Sequence, residues 1–179
     1  MKFGNENAKS QELYEWFRHK YNFGELGLFE CIAIASLKVE NLKYALSSIV
    51  IAPAGEAKTD IIRDVKTIFD NEVILKEGIV SEYWIIRNIS QDNLNEKIFC
   101  VGDMSDSIKS MQGRRVNGML AFFKNIIDGH AQIQQANTDI DYHVKKTAFI
   151  LNIPQQSMTD KAVGHLVSTT FFDRTIPFK

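Results

Sequence analysis

Lys58 and Thr59 are the residues of this chain best placed to do chemistry, because of what surrounds them. They close the segment Ala52-Pro53-Ala54-Gly55-Glu56-Ala57-Lys58-Thr59. The apolar run Leu46-Ser47-Ser48-Ile49-Val50-Ile51 precedes it, and Asp60-Ile61-Ile62-Arg63-Asp64-Val65, which reads as helix, follows. A strand, a short loop with glycine and a Lys-Thr pair opening a helix is the layout of a phosphate-binding P-loop. Backbone N–H groups at a helix N-terminus attract anions, and the lysine ammonium adds a full positive charge. A threonine hydroxyl is an oxygen ligand for Mg2+. The chemistry served is the binding of a nucleoside triphosphate, with Ala54, Gly55, Glu56, Ala57, Lys58 and Thr59 around the phosphates. The usual pattern is G-x-x-x-x-G-K-[ST], and here both framing glycines are alanine, Ala52 and Ala57. Gly55 alone remains to take a positive φ at little cost. Alanine before the lysine is acceptable if that position is helical enough to accept a methyl group. The competing reading is a strand–turn–helix corner with a solvated Lys58.

Three further positions join this segment. Asp103 follows the short apolar run Lys97-Ile98-Phe99-Cys100-Val101. A carboxylate there can hold Mg2+, directly or through water, or position an attacking water. Many NTPases place two acids side by side at this point, and here Gly102 stands in place of the first. The plain alternative is that Asp103 caps the following segment. Asn152 ends the run Lys146-Thr147-Ala148-Phe149-Ile150-Leu151. Its carboxamide would orient the attacking water, or else serve a turn before Ile153-Pro154. Arg174, in Phe172-Asp173-Arg174, has the guanidinium that suits developing phosphoryl charge, or forms a surface ion pair. Arg114-Arg115 offers DNA phosphate contacts, with a solvated turn as the simpler reading. His19, His130, His143 and His165 form no ligand pattern, and Tyr83-Trp84 reads as core or subunit contact.

These residues need elements to position them. Ser10 is placed to cap a helix through about Tyr21, with a turn at Asn22-Phe23-Gly24. Leu26 to Leu37 reads as a largely buried helix. The strand ending at Ile51 and the loop lead into a helix from Thr59 to about Phe69, with Ile61, Ile62, Val65, Ile68 and Phe69 at helical spacing. Val73-Ile74-Leu75 reads as a short strand and Tyr83 to Ile89 as a stronger one. Lys97 to Val101 reads as a central parallel strand. Asn117 to Ile127 reads as amphipathic helix ending at Asp128-Gly129. Gln132 to Asp139 is a hairpin or an inserted loop, Lys146 to Leu151 another buried strand, and Val163 to Val167 a short helix. Apolar strands alternating with helices predict an α/β fold with a mostly parallel central sheet flanked by helices. Ligands of such sheets sit beyond the carboxyl ends of the strands. Lys58, Asp103 and Asn152 all fall at such ends.

Composition sets the frame. The chain has 179 residues, 45% hydrophobic and 24% charged, enough for one sizeable core and one domain, with residues 1–22 as an N-terminal helical extension. The formal net charge of -1 announces no global basic field, so any nucleic-acid contact must be local or shared within an oligomer. Cys31 and Cys100 each lie in an apolar run and read as buried thiols. No zinc spacing, no bilayer-length apolar stretch and no signal-peptide core occur, which makes the cytoplasm the expected location and a membrane partner unexpected.

The order of P-loop, acid, strand-terminal Asn and Arg near Phe-Asp resembles the AAA+ ATPases, and within them the minichromosome maintenance (MCM) helicases and related plasmid or viral replication proteins. That family writes its P-loop as G-D-P-G-x-A-K-S, to which Gly55, Ala57 and Lys58 are similar, with Thr59 a conservative match and Ala52 the departure. Phe23-Gly24-Glu25-Leu26-Gly27-Leu28 resembles the family's lead into a buried helix, Asn152-Ile153-Pro154 its Asn-Pro sensor, and Ser168 to Phe178 its approach to an arginine finger. The resemblance covers roughly Phe23 to Phe178 and implies an AAA+-like P-loop NTPase core. Lys58 would bind phosphate, Thr59 and Asp103 Mg2+, Asp103 also water, Asn152 would act as sensor and Arg174 as a finger acting in trans. It implies ATP and Mg2+ as cofactors, a homo-oligomer, and DNA and replication proteins as partners. Neither a preceding DNA-binding domain nor a C-terminal helical lid is expected within this chain. Two readings stand: an oligomeric ATPase in DNA replication or unwinding, or a degenerate, non-hydrolysing scaffold or nucleotide switch, which Gly102 suggests. A nucleotide kinase would need a lid and an arginine-rich acceptor pocket, which the sequence does not show.

Overall fold

A computed structural model describes residues 6–22, 24–76, 80, 84–85, 87, 96–104, 113–135, 138–158, 173 and 175–178. In chain order they form α1 (Glu6–Lys20), α2 (Gly24–Ala35) with a 3-10 turn at Ser36–Lys38, β1 (Ser47–Ala52), α3 (Lys58–Ile68) and β2 (Val73–Lys76). There follow β3 (Ile98–Val101), α4 (Gly113–Ile127), β4 (His130–Gln135), β5 (Thr138–His143), β6 (Ala148–Pro154), a 3-10 turn at Gln155–Ser157, and β7 (Thr175–Phe178). The main sheet runs β2-β3-β6-β1-β7 and every pairing in it is parallel. β4 and β5 make a separate antiparallel hairpin.

Strand alternation divides the core into two layers. Val50, Ile98, Cys100, Ala148 and Ile150 share one face, packed against Phe17 of α1, Leu26 and Ile34 of α2, and Ile61, Ile62 and Val65 of α3. Ile49, Phe99, Val101, Phe149, Leu151 and Ile153 share the other, packed against Phe122, Phe123, Ile126 and Ile127 of α4. The second layer carries a run of ring contacts: Trp84 to Phe99 at 5.0 Å, Phe99 to Phe149 at 5.6 Å edge-on, and Phe149 to Phe123 at 4.7 Å stacked. Each such pair contributes about 0.5–1.5 kcal/mol beyond its buried area. β3 and β6 are buried on both faces, which is why they read as unbroken apolar runs.

α1 packs onto the core: Phe17 is fully buried and its ring lies against α2 at Gly27. A Cβ on Gly27 would stand 2.3 Å from that ring, and one on Gly24 would stand 2.5 Å from the backbone of Arg18. The corner closes because both positions lack a side chain. Lys20 and Tyr21 then reach α3, where both donate to Asp64 Oδ2, at 2.6 Å and 2.5 Å.

The structure corrects several expectations. α1 begins at Glu6, so Ser10 lies inside the helix and not at its start. Trp84, Ile85 and Arg87 have helical backbone, not strand. Trp84 and Ile85 are adjacent yet both pack into the same layer, which strand alternation forbids. α4 starts a turn earlier than Asn117 and absorbs Arg114 and Arg115, so the solvated-turn reading of that pair fails. β6 continues through Asn152 to Pro154. β7 was not expected at all; Pro177 within it has no N–H to give, and is tolerated because β7 is the edge strand. Gln132 to Asp139 is a hairpin, as one of two readings had it. Most of the expected Tyr83–Ile89 segment and all of Val163–Val167 lie outside the described residues.

Glu30, on α2, is fully buried in the first layer, and among the described residues nothing donates to either of its oxygens. Burial without a partner pushes its carboxyl well above the usual carboxylate range. The folded state therefore keeps a proton that the unfolded chain releases. The stability tied to that proton is full below the unfolded pKa and is lost progressively as pH rises toward the folded one, at up to about 1.4 kcal/mol per pH unit. Glu30→Gln should remove this slope. Denaturation midpoints of the two proteins should diverge from pH 4 to pH 8 in favour of Gln; a gap that does not change with pH would refute the buried neutral acid.

Candidate functional site

β1 delivers the chain to its carboxyl end at Ala52, and the loop 53–57 must turn it into α3 within five residues. It does so with two left-handed residues, Gly55 at φ 88° and Ala57 at φ 51°. Ala57 is the residue that precedes α3, with ψ 18°, so the expectation that its backbone is right-handed helical is wrong. An L-residue in this conformation costs about 1–2 kcal/mol, from Cβ against the following carbonyl. At Gly55 a Cβ would meet nothing within 4 Å: glycine is required there by its φ, and the space beside it is open.

The turn makes Lys58 the first residue of α3 and buries most of it. Its Nζ donates to Pro53 O at 2.6 Å and to Ala52 O at 3.1 Å, so the ammonium folds back over its own loop. Burial lowers its pKa, and the charges of Asp103 and Glu56 oppose that fall. Thr59, one residue on, donates from Oγ1 to Gly102 O at 3.2 Å. This bond spans the sheet edge from α3 to the end of β3 and fixes the two halves of the site against each other.

β6 lies between β1 and β3, with Val50 beside Asn152 on one side and Val101 beside Leu151 on the other. One further step of that register brings Gly102 level with Asn152, and the link persists as Met104 N donates to Asn152 O at 2.8 Å. A cleft of about 280 Å3 opens over this edge, lined by the loop from Ala54 to Thr59 and by Asp60, Gly102, Asp103 and Pro154. Asp103 is exposed at its rim. Asn152 lies beneath, fully buried, and among the described residues neither atom of its carboxamide has a hydrogen-bond partner. Being inside the strand, it is not the turn residue that Ile153-Pro154 suggested.

The structure thus brings together Ala54 to Thr59, Asp103 and, below them, Asn152. Arg114 and Arg115 belong to the first turn of α4, and Arg174 lies outside the described residues. Asp60 was not anticipated, although its place directly after Thr59 in the first helical turn signals it. The carbonyls of Ala52, Pro53 and Gly102 carry no side-chain signal and emerge only from the fold. The Thr59 hydroxyl and the Asp103 carboxylate border one cleft, and hard oxygen donors of this kind suit Mg2+ when phosphate oxygens and water complete six positions. Lys58 and the N–H groups opening α3 suit the phosphates.

The architecture is α/β, an all-parallel sheet flanked by helices with a cleft at its carboxyl edge. Neither family models nor curated proteins give a match to the sequence. Among the described residues no helix is long and apolar enough to cross a membrane.

Two substitutions test the local physics. Ala57→Gly should relieve the left-handed strain and leave stability unchanged or raised by up to about 1 kcal/mol, while Ala57→Val should lower it by more than about 1 kcal/mol in urea unfolding. Tolerance of valine would show that the turn is not left-handed. Asn152→Leu removes a buried carboxamide whose lost hydrogen bonds cost about 1–3 kcal/mol, and should stabilise the ligand-free protein. A destabilised leucine variant would show that the carboxamide is hydrogen-bonded after all.

Proposed function

We propose that the chain binds a nucleoside triphosphate, ATP, with Mg2+ in the cleft between the 53–57 loop and Asp103, as an AAA+-like module. One observation carries the reading: a lysine at the first position of α3, behind a left-handed Gly55–Ala57 turn, faces an acid across a cleft, and the next residue bridges to that acid's strand. The strand order supports it as well. β6, with Asn152, is inserted between the strand that leads into the loop and the strand of the acid, which sets its carboxamide between the two. In this reading the Lys58 ammonium moves from the loop carbonyls to the phosphates, Thr59 and Asp103 hold Mg2+, and Asn152 orients water. Arg174 would complete a neighbouring subunit's site in a homo-oligomer that works on DNA in replication or unwinding. Arg114 and Arg115, in the first turn of α4, are its candidate phosphate contacts.

A second reading has its own observation. Where a paired acid would stand, Gly102 has no side chain, and its carbonyl accepts the Thr59 hydroxyl. A site with one acid favours a nucleotide switch or scaffold that binds without turnover.

Calorimetric titration of Mg-ATP decides between them. Losing the Lys58 charge removes a charge-assisted hydrogen bond of about 1.5–3 kcal/mol, so Lys58→Ala should weaken binding by roughly tenfold to a hundredfold. Equal affinity in the two proteins would remove the phosphate-loop assignment. Binding with phosphate release supports the ATPase, and nucleotide-dependent oligomerisation without release supports the switch.

A further inference from the structure

His130 opens β4 and His143 closes β5, and the antiparallel register sets them directly opposite one another. The adjacent pair, Gly129 and Val144, is hydrogen-bonded, Val144 N donating to Gly129 O at 3.0 Å. Hydrogen-bonded and non-hydrogen-bonded pairs alternate along an antiparallel ladder, so His130 and His143 occupy a non-hydrogen-bonded pair, where facing side chains come closest. Their ring centres are 5.2 Å apart with the planes tilted by 52°, and both residues are exposed. The sequence showed no ligand spacing because thirteen positions separate the two; only the hairpin joins them.

That separation fits chelation. A Zn–N bond of about 2.0–2.1 Å puts an imidazole centre roughly 3.2 Å from the metal, and two imidazoles at a tetrahedral angle then have centres about 5.2 Å apart. We propose that His130 and His143 form a bidentate site for a divalent transition-metal ion of the zinc class at the base of the β4–β5 hairpin. Imidazole nitrogen suits Zn2+, Ni2+ and Cu2+ and not Mg2+, so this site is separate in chemistry and in place from the nucleotide cleft. Among the described residues no three His, Cys, Asp or Glu side chains converge as a metal-binding group, so the described part of the site is the pair of imidazoles. The position gives the ion a structural effect. Gly129, left-handed at φ 93°, ends α4, and buried Val144 begins the return to β6. A metal here staples the hairpin where it leaves the core.

The test is calorimetric titration of ZnCl2 into the full chain without nucleotide, alongside His130→Ala and His143→Ala. One saturable site in the wild type, weakened at least tenfold in each variant, is the expected result. Equal binding in all three proteins, or none to the wild type up to millimolar zinc, overturns the proposal. Cu2+ added to the wild type gives an independent reading by electron paramagnetic resonance. Coupling to two nitrogens supports the pair, and coupling to one or none overturns it.

Discussion

The hydrogen bonding of β6 to a strand on either side is the constraint on which the site depends. β1 carries the loop that presents Lys58, β3 carries Asp103, and neither pairs with the other. Among the described strands β6 alone pairs with both, and its parallel registers set their spacing between two packed faces. A slip of one residue would turn Phe149 and Leu151 from the α4 layer into the α3 layer, and with them the whole inner set of both cores. The position of the cleft is thus specified by apolar residues that never touch it. The Thr59 to Gly102 bond adds a polar tie across the same span.

What could be read from the sequence followed what each residue type is obliged to do. A strand buried on both faces has to be continuously apolar, which exposed β1, β3 and most of β6. The spacing of Ile61, Ile62, Val65 and Ile68 has to serve one face of α3. The Lys-Thr pair after a glycine loop then located the cleft. Other features were hidden for physical reasons. Ala57 has no composition that announces a left-handed backbone, since glycine or asparagine is the usual sign. Trp84 and Ile85 belong to a β-prone run, and their helical geometry is dictated by the need of both to reach Phe99's layer. β7 was masked by Pro177, which ordinarily argues against a strand and is harmless only at an edge. The end of β6 was placed two residues early because Asn152 and Pro154 look like loop residues, whereas Asn152 sits in the ladder with its carboxamide buried.

Buried polar groups are distributed unevenly. Among the described residues the side-chain atoms without partners belong to Glu30, Ser48 and Asn152. Ser48 and Asn152 stand beside Ile150 and Val50, so they lie on the face that packs against α2 and α3. Glu30 comes down from α2 into the same layer. The opposite layer, built from phenylalanines and isoleucines against α4, has none among the described residues. The desolvation cost of unpaired polar atoms among the described residues therefore falls on the α2–α3 side of the sheet.

The folded-back lysine has a consequence of another kind. With Nζ on the carbonyls of Ala52 and Pro53, the loop carries its own internal counter-charge. It therefore keeps the outline of an anion pocket when no anion is present. A phosphate that drew the ammonium away would leave these two oxygen atoms to water, since a carbonyl oxygen only accepts. Occupancy of the pocket is in this sense an exchange of partners rather than the filling of an empty seat. An anion that carries several charges would drive such an exchange more readily than one that carries a single charge.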